Sequence, residues 1–207
     1  MKSLIKTLLF IFPLFAQYPA DSLYNAPNNS FFQKMLIYPI SKWQRLSYNN
    51  PNVNCQFYPN CSLYGAEAIH KHGAISGLFM TSDRIVRCSP FAYEAHTKIN
   101  GQYHIDGRMI DPVDLSNPIK NRKSPIFAAG LSMFAPGLGR AYSGRTSDGL
   151  LGFILSGLSI NSAIKSYNKN SILSPFWIGV AITIYGGEVY GAYRTAKYYQ
   201  LENNIEE

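Results

Sequence analysis

The sequence predicts an all-α protein in two parts, a small cysteine-containing helical hairpin followed by a transmembrane helical hairpin. Three observations support this class. In the middle of the chain, apolar residues recur at three- and four-residue spacing, which is the period of an amphipathic helix. Three cysteines flank these periodic segments. Further along, residues 149–164 and 175–187 are apolar and uncharged, as helices that cross a membrane are.

The first helix of the cysteine-containing hairpin is predicted at residues 63–72. Pro59 fixes its own φ and favours an extended loop before the helix. Asn60 or Ser62 can cap the first turn by accepting a hydrogen bond from a backbone N–H. Gly73 can adopt the positive φ at which many helices end.

The second helix is predicted at residues 74–87. Asp83 and Arg87 have the spacing of an i,i+4 ion pair on its polar side. The opposite side is expected to form the buried face and contains Ile75, Leu78, Phe79, Ser82, Ile85 and Val86. Because the cysteines lie near the helix ends, we expect a sulfur cluster at the mouth of the hairpin, formed by Cys55, Cys61 and Cys88.

The loop and the first helix follow the pattern Cys-x-Phe-x-Pro-x-Cys-Ser-x-Tyr-x-x-Glu-Ala-Ile-x-x-His-Gly. Its residues are Cys55, Phe57, Pro59, Cys61, Ser62, Tyr64, Glu67, Ala68, Ile69, His72 and Gly73. The pattern continues with Gly77, Arg84, Arg87, Cys88, Pro90, Asp111, Pro112 and Val113. Residues 35–115 therefore resemble the YidD family of bacterial membrane protein insertion efficiency factors. The chain differs from the family in having Asn60 in place of Thr, no Gly-Gly pair before Asp111, and an insertion at 91–110.

The resemblance implies a non-enzymatic, membrane-associated accessory factor that aids insertion of integral membrane proteins into the bacterial membrane. The implied partners are the lipid bilayer and either a YidC-type insertase or nascent membrane proteins. The resemblance also implies a position at the cytoplasmic face of the inner membrane. Cys55, Cys61 and Cys88 are expected to hold the shape of the domain, and no cofactor is predicted.

The charge distribution favours a membrane surface over nucleic acid. The chain has a net charge of +7, and residues 34–123 contain eleven Lys and Arg against six Asp and Glu. Such a basic segment suits an anionic membrane surface or nucleic acid. The sequence has no RNP-type aromatic motif, zinc-finger spacing or Gly-x-x-Gly clamp in a suitable context. We therefore expect no nucleic-acid partner.

A second amphipathic helix, predicted at residues 35–47, has the composition of a helix that lies in a membrane interface. Pro39 is expected in its first turn, where proline is tolerated. Packing of this helix on the hairpin core is the alternative. The residues expected to contact headgroups or a partner are Lys42, Trp43, Arg45, Arg84 and Arg87.

The N-terminal residues 1–22 are predicted to be a signal peptide or an uncleaved anchor. Lys2 and Lys6 precede an apolar core at 8–15, which is shorter than the ~20 residues of a spanning helix. A linker follows at 23–33, then the cysteine-containing domain at 34–115, the membrane domain at 124–200 and a tail at 201–207. A cleaved signal would place the cysteine-containing domain outside the cell membrane.

The membrane domain is predicted as two helices joined by residues 165–171. Lys and Arg are more frequent on its outer flanks than in this connection, which places both flanks in the cytoplasm. Glu188 is costly in an apolar helix unless it faces a partner, and Arg140 or Arg194 can provide one. Residues 136–144 contain Pro and Gly at spacing that predicts a turn into the membrane.

The cysteines allow three interpretations, namely small buried hydrophobes, a disulfide with a spare thiol, or ligands of a metal together with His70 or His72. In an oxidising compartment the favoured pair is Cys55 or Cys61 with Cys88. The Cys-x5-Cys spacing is not a standard zinc spacing, and we predict no metal. The rival function is an exported, disulfide-stapled binding or membrane-lytic module anchored by the C-terminal hairpin. A Cys–His nucleophile lacks an orienting group by motif, so the protein is not predicted to be an enzyme.

Overall fold

Helices make up most of the chain in a computed structural model that describes residues 18–48, 50, 53–115 and 123–198. The helices are α1 Pro19–Tyr24, α2 Phe31–Ser47, α3 Cys61–His72, α4 Ala74–Arg87, α5 Ala92–Thr97, α6 Pro125–Phe134, α7 Leu138–Tyr142, α8 Thr146–Asn168 and α9 Ser174–Tyr198. Two short strands, β1 Phe57–Tyr58 and β2 Met109–Ile110, pair in parallel. The mostly helical architecture agrees with the predicted class. The predicted signal core at 8–15 and the tail at 201–207 lie outside the described residues.

The α3–α4 hairpin forms as predicted, with one helix boundary shifted. Helix α3 begins at Cys61, two residues before its predicted start, because Asn60 accepts a hydrogen bond from the Leu63 N–H at 2.9 Å and caps the helix. Gly73 has φ 83° and separates the two helices. At Gly77 a Cβ would overlap the Ile69 backbone, so this glycine allows α3 and α4 to approach closely.

The predicted buried face of α4 is wrong in part. Ile75 and Ile85 are 70% and 58% exposed, whereas Asp83, Arg84 and Arg87 are buried. The reason is that Arg84 and Arg87 pair with Asp111, and that helix α9 packs against α4 and brings Arg194 to Asp83. The apolar pattern of α4 alone contains no information about that partner.

Helix α2 packs on α3 but begins earlier than predicted. Ser30 caps it by accepting a hydrogen bond from the Gln33 N–H at 3.3 Å, and Gln33 Oε1 accepts one from the Ser30 N–H at 2.9 Å. This reciprocal cap sets the start of the helix at Phe31. Pro39 consequently lies in the interior of α2, and its predicted first-turn position is wrong. Ile37 is buried against α3.

The C-terminal helices α8 and α9 form an antiparallel hairpin. Ser174 Oγ donates a hydrogen bond to the Ser166 carbonyl at one end, and Gly152 lies against the Glu188 carboxylate at the other. Within the described residues, α8 is the one helix that is long and apolar enough to cross a membrane. A transmembrane hairpin is therefore not confirmed. Helix α9 contains buried Glu188 and Arg194 and packs against α4, α6 and α8.

Candidate functional site

The three cysteines converge at the mouth of the α3–α4 hairpin. Cys55 lies in the loop before β1, Cys61 is the first residue of α3, and Cys88 follows the last residue of α4. Their sulfur atoms all lie within 4.8 Å of one another, and Cys55 Sγ and Cys61 Sγ are 3.4 Å apart. The structure holds all three as free thiols, each half-buried. The predicted sulfur cluster is thus present in the structure.

Backbone and thiol hydrogen bonds surround Cys55. The Cys61 N–H donates to Cys55 Sγ at 3.3 Å. Hydrogen bonds from the thiols of Cys61 and Cys88 lower the pKa of Cys55 well below its ordinary value, against the opposing effect of burial. The hydrogen-bond contacts with Cys55 and Cys88, together with burial, raise the pKa of Cys61. The contacts among the three thiols therefore shift the pKa values of Cys55 and Cys61 in opposite directions.

The cysteine cluster lines a cavity of about 700 Å³. The cavity also contacts α2, α5 and the insertion at 91–110. Its other lining residues include Trp43, Tyr48, Tyr93, Asp106 and Arg108. Asp106 accepts an ion-paired hydrogen bond from Arg108 at 2.7 Å, and Arg108 lies over the Tyr58 ring. The insertion thus forms one wall of the cavity next to the sulfur atoms.

Arg84 contacts several residues of the sequence pattern at once. Its guanidinium lies over the rings of Phe57 and Tyr64, at 4.2 Å and 4.5 Å from their centroids. It donates to the Pro59 carbonyl at 2.8 Å and forms an ion pair with Asp111 at 2.8 Å. These contacts give a physical reason for several of the residue types in the sequence pattern.

Asp111 connects the hairpin to the C-terminal helices. Its carboxylate accepts from Arg84, from Arg87 at 2.5 Å and from Arg194 of α9 at 2.7 Å. Arg194 also donates to the Pro112 carbonyl at 3.2 Å. The Asp111 side chain is 2% exposed. A single buried carboxylate therefore holds three guanidinium groups from two helices.

Asp83 is the second buried carboxylate of this network. It forms ion pairs with Arg87 at 2.9 Å, Arg140 at 2.8 Å and Arg194 at 3.4 Å. Burial alone would raise the pKa of Asp83, but the three guanidinium charges outweigh it and hold the pKa at about 2. The Asp83–Arg87 pair is the one that the sequence predicts, although it lies in the interior and not on a solvated face.

Arg140 extends the network to α7 and to a second residue of α9. It forms an ion pair with Glu188 at 3.0 Å, and both side chains are buried. Glu188 was expected to face Arg140 or Arg194, and the structure selects Arg140. We name the buried charges together the ion network, which consists of Asp83, Arg84, Arg87, Asp111, Arg140, Glu188 and Arg194.

The expected lipid or partner contact of Arg84 and Arg87 is wrong, since both guanidinium groups are buried in the ion network. Arg45 also has an internal partner, because it forms an ion pair with Asp21 of α1 at 2.9 Å. Lys42 and Trp43 are exposed on α2 and remain the predicted contact residues.

The structure also places the pattern residues Ser62, Glu67 and His72 on helix α3. Ser62 Oγ accepts a hydrogen bond from the Gln44 side chain at 3.2 Å, and thus joins α3 to α2. His72 pairs with Asp114 at 2.9 Å, and His70 with Asn29 at 2.7 Å. His70 and His72 lie at the end of α3 opposite to Cys61, so they do not complete a metal site with the cysteines. Glu67 is half-buried on α3.

Among the described residues, exposed apolar side chains are grouped on two surfaces, besides others elsewhere on the chain. The first is the outer face of α2, where Phe31, Phe32, Met35, Trp43 and Leu46 are exposed. We call this the α2 surface. The second extends over α6, α8 and α9, and we call it the C-terminal apolar surface. It contains Ile126, Phe127, Met133, Phe134, Leu150, Phe153, Leu158, Ile164, Phe176 and Ile182.

Sequence reasoning missed Asp83 as a link to α9 and the central position of Asp111. The sequence signal that was available is the presence of charged residues in the apolar C-terminal segments. Glu188 was identified in this way, and Arg140 and Arg194 were considered only as its partners. These charges indicate that the C-terminal helices have a charged partner, but they do not identify α4 as that partner.

Comparison with known proteins addresses the central domain. Residues 32–99 match the family described as "Putative membrane protein insertion efficiency factor" (YidD). The match does not include α6–α9. No solved structure matches the chain.

Three relatives with the same description show how much of each chain is shared. A protein of Exiguobacterium sp. is 44% identical over 59 residues, which are 28% of this chain and 66% of the relative, just under two thirds. A Colwellia psychrerythraea protein is 45% identical over 65 residues, 31% of this chain and 79% of the relative. A protein of Oleidesulfovibrio alaskensis is 35% identical over 78 residues, which are 38% of this chain and 91% of the relative. The cysteine-bearing hairpin and these matches together show that the chain belongs to the YidD family of membrane protein insertion efficiency factors.

Proposed function

We propose that the protein is a non-enzymatic, membrane-bound accessory factor that increases insertion of other proteins into a bacterial inner membrane. The family to which the central domain belongs carries the proposal, since its curated relatives are named for membrane protein insertion efficiency. The proposed partners are the lipid bilayer and a YidC-type insertase or its nascent clients.

The α2 surface supports a position at the bilayer. Trp43 is 52% exposed, and the exposed Lys42 lies one residue before it. Phe31 and Leu46 are 76% and 72% exposed. An aromatic and aliphatic face with a lysine beside it is the composition of a helix that lies in the headgroup region. Water would be an unfavourable environment for so many adjacent apolar side chains.

The C-terminal apolar surface supports an anchor next to the same domain. Helix α8 has the length and composition of a membrane span, and its exposed residues include Leu150, Phe153 and Leu158. We propose that α8 enters the bilayer and that α9 connects α8 to the α3–α4 hairpin through the ion network. In this arrangement the hairpin is held at a fixed distance from the lipid.

Reconstituted insertion tests the proposal. The full chain is incorporated into inverted inner-membrane vesicles that contain an insertase, and insertion of a small single-span client is measured by protease protection. We expect a higher insertion yield with the chain than with vesicles alone. An equal yield across a range of chain concentrations would contradict the proposal.

The rival function, a membrane-lytic module, predicts a different result in the same vesicles. Vesicles loaded with a fluorescent dye would release it on addition of the chain if the chain were lytic. We expect dye retention at the concentrations that increase insertion. Dye release without a change in insertion would favour the rival.

A further inference from the structure

We propose that Cys55, Cys61 and Cys88 bind one thiophilic divalent metal ion, of which Zn²⁺ is the probe, through three thiolates with a fourth position open to the cavity. This inference concerns a metal site and does not depend on the proposed function. It rests on the convergence of three sulfur atoms from three separate parts of the chain.

The sulfur positions fit a three-thiolate site. With Zn–S bonds of about 2.3 Å, three sulfur atoms around one ion lie roughly 3.8–4.0 Å apart. The three Sγ atoms are all within 4.8 Å of one another, and the shortest separation is 3.4 Å. Rotamer adjustments below an ångström are therefore sufficient, without movement of the helices.

The cysteines are held by elements that fix their directions. Phe57, Ala92 and Met109 form a buried cluster against which all three cysteines pack. The Cys61 N–H donates to Cys55 Sγ at 3.3 Å. Hydrogen bonds of this kind orient metal ligands and stabilise their charge.

The charge around the cluster also suits a metal with three thiolates. A divalent ion with three thiolates has a net charge of −1, which is costly in a half-buried position unless cations are near. The buried guanidinium of Arg84 attracts charge on Cys61, and Arg108 attracts charge on Cys55. Both arginines also pair with carboxylates. They therefore offset only part of the negative charge of the ion and its three thiolates, and they are not ligands.

The fourth position is assigned to solvent and not to a histidine. Cys61 and His72 are the first and last residues of α3, which separates them by about 16 Å at 1.5 Å per residue. The sulfur atoms instead border the cavity of about 700 Å³, which has room for water at the ion. Such an open position distinguishes this site from a closed four-ligand structural zinc site.

Metal binding by the full-length chain tests the inference. The protein is purified in detergent under reducing, oxygen-free conditions, stripped with a chelator and titrated with Zn²⁺. We expect one Zn²⁺ per chain, and a loss of affinity in Cys55→Ser, Cys61→Ser and Cys88→Ser that exceeds the ~10–100-fold cost of losing an outer-shell hydrogen bond. The His72→Ala variant is the control and should bind as the unmodified chain does.

Thiol alkylation of the unmodified chain keeps the test decisive if the serine variants do not fold. Zn²⁺ should protect all three cysteines together from alkylation, as mapped by mass spectrometry, and a chelator should restore their reactivity. Equal alkylation with and without Zn²⁺ would overturn the inference. So would folded serine variants that keep the affinity of the unmodified chain, or a chain whose cysteines form a disulfide and bind no Zn²⁺ after reduction.

Discussion

Replacement of Asp111 by Asn provides the most direct test of the ion network. The carboxylate of Asp111 is 2% exposed and accepts hydrogen bonds from Arg84, Arg87 and Arg194. Asn keeps the size of the side chain but removes its charge, which leaves three buried guanidinium groups without their shared partner. Loss of one partner from a buried ion pair costs about 3–5 kcal/mol.

Asp114→Asn is the matched control, because it makes the same chemical change three residues along the chain. Asp114 also pairs with two basic side chains, Lys71 and His72, but it is 57% exposed. Solvent screening reduces the contribution of such pairs to about 0–1 kcal/mol. The two variants therefore separate the effect of burial from the effect of charge.

Thermal and denaturant unfolding in detergent measures the difference. For a chain of this length a loss of 3–5 kcal/mol lowers the melting temperature by roughly 6–20 °C. We expect this shift for Asp111→Asn and a shift of at most about 4 °C for Asp114→Asn. Equal shifts in the two variants would refute the argument that the buried network holds α4 to α9. Adding Arg194→Met to Asp111→Asn should cost less than the sum of the single changes.

Three further predictions follow from the same structure. The pKa of Asp83 is lowered from 3.8 to about 2, so its contribution to stability is full above pH 4 and is lost as the pH falls through 2. Acid unfolding followed by circular dichroism should show this loss of stability, and Asp83→Asn should make stability depend less on pH in this range. Lys42→Glu should weaken binding to anionic vesicles by about 2 kcal/mol, or roughly 30-fold, in a flotation assay, whereas Lys98→Glu, directly after α5, should change it little. Gly77→Ala should destabilise the α3–α4 contact by about 1–3 kcal/mol because its Cβ would overlap the neighbouring helix. Gly157→Ala, whose Cβ would meet nothing within 4 Å, should be neutral or stabilising. Equal effects of the two lysine variants would contradict the second prediction, and equal effects of the two glycine variants would contradict the third.

Local signals predicted the parts of the fold that depend on neighbouring residues. The bounds of α4, the cap at Asn60 and the positive φ of Gly73 follow from preferences of single residues and are confirmed. The convergence of the cysteines was also predictable, because a hairpin of two helices necessarily brings its outer ends together. The spacing within α2 was interpreted correctly as helical, but the position of Pro39 was wrong because the cap at Ser30 was not recognised.

Contacts between distant segments were not predictable from local pattern. Arg84 and Arg87 have the spacing of a solvated face, and they are interior residues because they pair with Asp111, which is distant in the sequence. Glu188 was different, since a lone acid in an apolar helix requires a partner wherever the helix lies. A cationic partner, either Arg140 or Arg194, could therefore be anticipated, whereas the choice of Arg140 and the three-way contacts of Asp83 and Asp111 could not.

Burial of the arginines changes which residues can respond to lipid charge. The net positive charge of the central segment suggests that its cations face the membrane, but Arg84 and Arg87 are neutralised by carboxylates inside the protein. Variants of these arginines should lose stability before they lose lipid binding. Lys42 is exposed beside Trp43, so its charge is available to headgroups. A variant of Arg84 that unfolds at lower temperature yet binds anionic vesicles normally, together with a stable Lys42 variant that does not bind them, would establish that the two sets of cations act separately.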